Sequence, residues 1–130
     1  MRDFDGHQGV RLRPATVDDW IAFYGSPPKH SFKGLAAEMD GQTVGLTGLQ
    51  FQRPYVQAFG NMSDPLRPFK DKIGWAVRWM IRQMTSHGRP VIAVASPREP
   101  TAPAMLTRMG FSHVGSSPDG EVYQWKPSYR

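Results

Sequence analysis

Trp75 and Trp79 stand four residues apart with Arg78 and Arg82 beside them. At about 100° per residue on a helix, the two indoles lie roughly opposite the apolar arc of the same segment. Two indoles set among guanidinium groups can serve three ends. Exposed aromatic and arginine side chains commonly form a protein interface. They can instead be covered by another part of the chain, such as residues 123–129. They can also stack on the bases of a single-stranded nucleic acid, although without a nucleic-acid module such a patch reads bases poorly. Other chemistries are bounded by what the chain lacks. With zero cysteines there is no thiolate nucleophile, zinc-thiolate site or disulfide framework. His7, His87 and His113 lack metal-ligand spacing and read as surface residues, so no metal is expected. A net charge of +5 and a pI near 9.9 favour an anionic partner, either a phosphate-bearing cofactor or a nucleic acid.

These residues need a frame to position them. A chain of 130 residues fits one domain with one core, and the twelve prolines and thirteen glycines fall between periodic segments as punctuation. Residues 1–9 carry no charged-then-apolar leader, and no apolar run approaches membrane-spanning length. A soluble, unprocessed, cytoplasmic protein is therefore expected. From Phe69 the apolar positions Ile73, Ala76, Val77, Met80, Ile81 and Met84 keep one face of a long helix dry, and Gly88 and Pro90 end it. Residues 91–95 are apolar at consecutive positions, as a short strand covered on both faces should be. A second helix follows and stops at Met109-Gly110-Phe111. Upstream, residues 10–13 alternate like a strand, and Thr16 can cap a short helix that Ser26-Pro27-Pro28 ends. Residues 34–39 and 43–50 form a hairpin about Asp40-Gly41. Residues 55–59 make a further strand and 61–68 a connection. Residues 112–115 and 121–125 pair through a second turn. The order β-α-β-β-β-α-β-α-β-β predicts an α/β fold, a mixed sheet with helices on both faces.

In that order the residues resemble the GNAT N-acetyltransferase superfamily. Arg11-Leu12-Arg13-Pro14-Ala15-Thr16 with Asp18-Asp19 is similar to its opening strand and helix, Met39-Asp40-Gly41-Gln42-Thr43-Val44-Gly45 to its second hairpin, and Leu106-Thr107-Arg108-Met109-Gly110-Phe111 to the end of its last helix. The match covers almost the whole chain, as one domain over 1–130. The compact form also resembles small GNAT-like proteins encoded by tailed phages, some carried in the virion.

The resemblance implies an acetyl-coenzyme A-dependent N-acetyltransferase with its fourth and fifth strands, near residues 55–59 and 91–95, parallel and splayed at one end. It also implies a diphosphate site at the N-terminus of the long helix, where the dipole favours an anion. Of the family's Gly-rich pattern the chain keeps Gly74 and Ala76 and puts Asp71 in the first place. In a second registration the helix begins at Pro68, and Arg67, Lys70 and Lys72 supply positive charge. The same three residues also read as ordinary solvated cations. The family's phenolic acid falls on Leu106, and Glu99 stands where it has an Asn. The fourth strand carries no acid, so Glu38, Asp64 and His30 are the substitutes for a general base. Glu38 also reads as a solvated strand residue and Asp64 as a cap. The acceptor would lie between residues 25–33 and the final hairpin. The alternative is a GNAT-fold binding or assembly protein that has lost its chemistry and associates through Trp75 and Trp79, with itself or within a virion.

Overall fold

A computed structural model describes residues 9–127. Strand β1 (Arg11–Pro14) leads into helix α1 (Val17–Tyr24) through a capping box. The Thr16 hydroxyl accepts from the Asp19 amide at 3.2 Å, and the Asp19 carboxylate accepts from the Thr16 amide at 2.8 Å. Two donors that a helix start would leave open are thereby satisfied. The helix stops at Gly25, whose φ of 87° makes a left-handed cap, one residue ahead of the expected Ser26-Pro27-Pro28 stop.

Strands β2 (Ser31–Met39) and β3 (Gln42–Phe51) turn at Asp40 and Gly41, both at positive φ as a tight hairpin requires. Strand β4 (Val56–Met62) pairs with β3, a 3-10 turn spans Asp64–Leu66, and helix α2 (Lys70–His87) crosses to strand β5 (Val91–Ala95). Helix α3 (Ala102–Arg108) and the hairpin β6 (Ser112–Ser117) and β7 (Gly120–Trp125) complete the chain. β2 and β4 run beyond their apolar cores because the long β3 pairs with both, from Ser31↔Phe51 on one side and as far as Gly45↔Met62 on the other.

The seven strands form one sheet in the order β1-β2-β3-β4-β5-β7-β6. Only β4 and β5 pair in parallel, as the α2 crossover demands. Their register runs Val56↔Val91, Gln57↔Ile92 and Ala58↔Ala93; beyond it the strands part, which is the expected splay.

Met80 and Met84 of α2 pack on Leu49, Val56, Ala58, Val91 and Ala93, and Ala102, Met105 and Leu106 of α3 lie against the same cluster. The first turn of α2 sends Phe69 and Ile73 into a second cluster with Val10, Ala37, Val44 and Leu66. Helix α1 lies on the other face, where the Trp20 ring centroid is 5.0 Å from those of Phe32 and Phe59. Phe59 follows Ala58 in β4, and successive strand residues point to opposite faces. Helices therefore cover both faces of the mixed sheet.

Three expectations need correction. β5 is not covered equally on both faces: Val91, Ala93 and Ala95 are buried while Ile92 and Val94 are half-buried, because α1 is short and lies over the β2–β4 half of the sheet. Trp79 does not share the exposure of Trp75. It packs against the larger core cluster, since an indole on the flank of the apolar arc is long enough to reach back to it. Trp75 remains 44% exposed, with the Arg82 guanidinium 5.9 Å from its ring centroid. His87 is half-buried, with its ring 5.4 Å from that of Phe51, whereas His113 is a surface residue paired with Glu121. His7, and residues 128–130 of the segment considered as a cover for the indoles, lie outside the described residues.

Candidate active site

Where β4 and β5 part, a cleft of about 530 Å³ opens beneath α2 and α3. Ile73, Ala76, Val77, Met105 and Leu106 make its walls apolar, and Phe59, Gly60 and Asn61 of β4 face Val94 and Ser96 across it. β4 has no β5 partner after Ala58, so the strand edge facing the gap offers backbone groups to a ligand. A second cavity of about 340 Å³ lies on the α1 face, lined by Trp20, Tyr24, Lys29, His30, Gln50 and Gln52. Gln57 lines both cavities. Its amide oxygen accepts from Gln52 Nε2 at 2.8 Å, and Tyr24 Oη donates to Asn61 Oδ1 at 2.6 Å. Burial pushes the Tyr24 phenol above its usual range, so it stays protonated and remains a donor. Gln57 is thus shared by the two cavities, whereas Asn61 lines the main cleft alone and Gln52 the second cavity alone.

Of the cofactor residues expected from the sequence, Lys72 and Ala76 line the cleft, while Lys70 and Gly74 do not. A Cβ on Gly74 would meet nothing nearer than Arg78 Nη1 at 3.5 Å, so no close backbone approach demands glycine there. Arg67 is already engaged. Its Nε donates to Asp64 Oδ1 at 2.9 Å, and its Nη2 to Glu99 Oε2 at 2.9 Å and Oε1 at 3.1 Å. Glu99 first, and then Asp64, hold the guanidinium above its ordinary value. Glu99 and Asp119 line the cleft together with Lys72 and Arg98, so opposite charges balance at its rim instead of concentrating as cations. Neither Phe69 nor Asp71 plugs the mouth of α2, because Phe69 turns into the second core cluster and Asp71 is exposed. Ile73 N–H bonds to Phe69 O at 3.1 Å and Lys70 N–H to Pro68 O at 3.0 Å; among the described residues the Asp71 and Lys72 amides are the first-turn donors without a backbone acceptor.

The three carboxylate and imidazole candidates separate cleanly. Glu38 accepts from Arg13 Nε at 2.8 Å and lies 3.8 Å from Arg11 Nη2; it lines neither cavity. The Asp64 side chain is 94% exposed and serves Arg67, also outside both cavities. His30 lines the second cavity. Leu106 presents an alkyl group to the cleft, so α3 offers no phenol at that position. Of the two segments named for an acceptor, Ser26, Pro27, Lys29 and His30 line the second cavity, whereas Asp119 of the final hairpin lines the main cleft. Gln57, Asn61 and Tyr24 were not singled out from the sequence. The signal was the polar pair Gln57 and Asn61, four apart and hence on one side of a strand. Among the described residues, no group of three or more His, Cys, Asp or Glu could hold a metal ion, and no helix is long and apolar enough to cross a membrane.

No family sequence model and no curated protein sequence matches the chain. Its structure is similar to the ribosomal-protein-S18-alanine N-acetyltransferase from Escherichia coli, at 12% identity and a TM-score of 0.66, covering 93% of this chain and 96% of that one. It is also similar to the paia N-acetyltransferase from Thermoplasma acidophilum in complex with coenzyme A, at 10% identity and a TM-score of 0.64, covering 92% and 99%. A GNAT superfamily phosphinothricin acetyltransferase from Sinorhizobium meliloti in complex with AcCoA aligns at 17% identity and a TM-score of 0.62, covering 90% and 88%. With its strand order and the splayed parallel pair β4–β5, this chain has the fold of the GNAT N-acetyltransferases.

Proposed function

We propose that the chain works as one domain that binds acetyl-coenzyme A in the β4–β5 cleft and transfers the acetyl group to an amine held on the α1 face. The observation that carries this reading is that Gln57, just ahead of the β4–β5 gap, lines a cavity on each face of the sheet. The cleft suits the cofactor in size, since ligand sites commonly run from about 300 to 1,000 Å³. Its apolar walls suit an extended alkyl-amide arm. Lys72 and the open amides of Asp71 and Lys72 suit a diphosphate at the helix mouth, with Arg67 and Lys70 near it in sequence and Gly74 and Ala76 in the turn that follows.

Acetyl-coenzyme A supplies an acetyl thioester, and the transfer forms a C–N bond, breaks the C–S bond, takes one proton from the amine and leaves one on sulfur. Within this chain, the β4 edge beyond Ala58 offers backbone groups to the acyl end of the ligand. Gln57 and Asn61, fixed by Gln52 and Tyr24, orient the approaching amine. His30, the one base candidate that lines a cavity, takes the amine proton, directly or through water. With Leu106 on α3, the sulfur takes its proton from solvent. Such a protein would act in the cytoplasm.

A second reading has its own support. Leu106 in the cleft and Arg67 neutralised by Asp64 and Glu99 fit a GNAT-fold binding or assembly protein without turnover, virion-borne if phage-encoded, with the exposed Trp75 as its contact. Calorimetric titration with acetyl-coenzyme A tests the first step. A Kd from submicromolar to tens of micromolar, about 6 to 9 kcal/mol, is expected. No binding would remove the enzyme reading, and binding without acetylation of any amine would favour the second.

A further inference from the structure

The cavity on the α1 face carries a charge pattern that narrows the acceptor, on the reading that the chain is an acyltransferase. Lys29 and His30 stand on its rim, Gln50, Gln52 and Gln57 bring carboxamides, and no carboxylate lines it among the described residues. Asp19, the buried acid of α1, is turned to Arg13 and does not line it. A polyamine or other polycationic acceptor would need acids to hold its spare ammonium groups, and it would meet Lys29 instead. An amine that also carries an anion finds a cation in Lys29 and amide donors in the glutamines, while Trp20 and Tyr24 give it an apolar wall.

We propose that the acceptor is a small primary amine bearing a carboxylate or phosphate, with the anion on Lys29 and the amine directed past Gln57 toward the gap between β4 and β5. Lys29 is then the specificity-determining residue and takes no part in the proton transfers.

The test is acetyl-coenzyme A-dependent thiol release with four amines: β-alanine, phosphoethanolamine, ethanolamine and spermidine. One charge-assisted contact at an open rim predicts that kcat/KM for β-alanine or phosphoethanolamine exceeds that for ethanolamine and spermidine by about tenfold. Which of the two anionic amines leads identifies the anion as carboxylate or phosphate. Lys29→Glu should abolish the preference or turn it toward spermidine, with the Kd for acetyl-coenzyme A unchanged. Equal or better use of ethanolamine or spermidine by the unaltered chain overturns the proposal. If no amine is acetylated, calorimetric titration of β-alanine and phosphoethanolamine into protein saturated with coenzyme A decides. Binding of neither overturns this inference, whereas failure of acetyl-coenzyme A itself to bind is failure of the acyltransferase reading.

Discussion

Asp19 is 6% exposed and ties α1 to the sheet, so Asp19→Asn tests how much that tie contributes to the stability of the fold. Oδ2 accepts from Arg13 Nη1 at 2.7 Å, the Thr16 amide at 2.8 Å and the Thr16 hydroxyl at 3.0 Å; Oδ1 accepts from Arg13 Nη2 at 2.7 Å and Thr43 Oγ1 at 3.2 Å. An asparagine keeps one acceptor oxygen and turns an NH2 group toward donors on the other side; the threonine hydroxyls can reverse to accept from it, but at least one contact from the Arg13 guanidinium is lost whichever way it lies. Removing one partner of a buried pair costs about 3 to 5 kcal/mol. Arg13 retains Glu38 at 2.8 Å and its side chain is 26% exposed, so the cost falls at or below the bottom of that scale. A loss of about 2 to 3 kcal/mol is expected from a total of about 5 to 15. At a urea slope of about 1.5 kcal/mol per molar, the midpoint falls by about 1 to 2 M, which tryptophan fluorescence can follow.

The pH dependence gives this prediction a second edge. Hydrogen bonds from Arg13 first, with the Thr16 amide and hydroxyl adding and burial opposing, hold the Asp19 carboxyl well below the usual carboxylate range. Because its folded pKa is depressed, the stability it contributes is complete above about pH 4 and is lost as pH falls below that toward the folded value. The gap between the unaltered chain and Asp19→Asn should therefore narrow on acidification from pH 7. A gap under about 0.5 kcal/mol at pH 7, the scale of an ordinary surface change, or a gap that does not narrow in acid, would refute the reasoning.

Two further predictions follow from particular contacts. Glu99→Gln removes a negative charge from the cleft and releases Arg67 from one of its carboxylates, so acetyl-coenzyme A should bind severalfold tighter in calorimetry; that gain should shrink in an Arg67→Ala background, where only the loss of the Glu99 charge remains, and an undiminished gain there excludes Arg67 as a contributor. Trp79→Ser should destabilise the fold by about 1 to 3 kcal/mol, less than for a fully buried Trp, while Trp75→Ser stays within about 0.5 kcal/mol and alone affects any self-association seen by light scattering. Equal stability losses in the two variants would contradict the packing described for α2.

Much of the scaffold was legible in the chain because its signals are local. The three-and-four spacing from Ile73 to Met84, the apolar run of β5, the Asp40-Gly41 turn and the Thr16 cap each act over a few residues, and each stands in the structure within a residue or two of where the pattern put it. Their order also carried the likeness to the GNAT fold, including the parallel β4–β5 pair. The site was less legible, because it is made of meetings between distant residues. Arg67 and Glu99 lie 32 positions apart, and Tyr24 and Asn61 lie 37 apart. No local period encodes such pairs; they depend on the crossover that sets β5 beside β4 and on the helix that lies over each face. Arg67 read as a free cation and Glu38 as a base candidate because each was seen without the partner that holds it. The sequence by itself determined the elements and their order, and with them the helix mouth and the splayed strands. Only tertiary structure decided which charges cancel, which carboxamides line the gap and which cavity His30 faces, since hydrogen bonds and ion pairs act over a few ångströms and register alone brings their atoms that close.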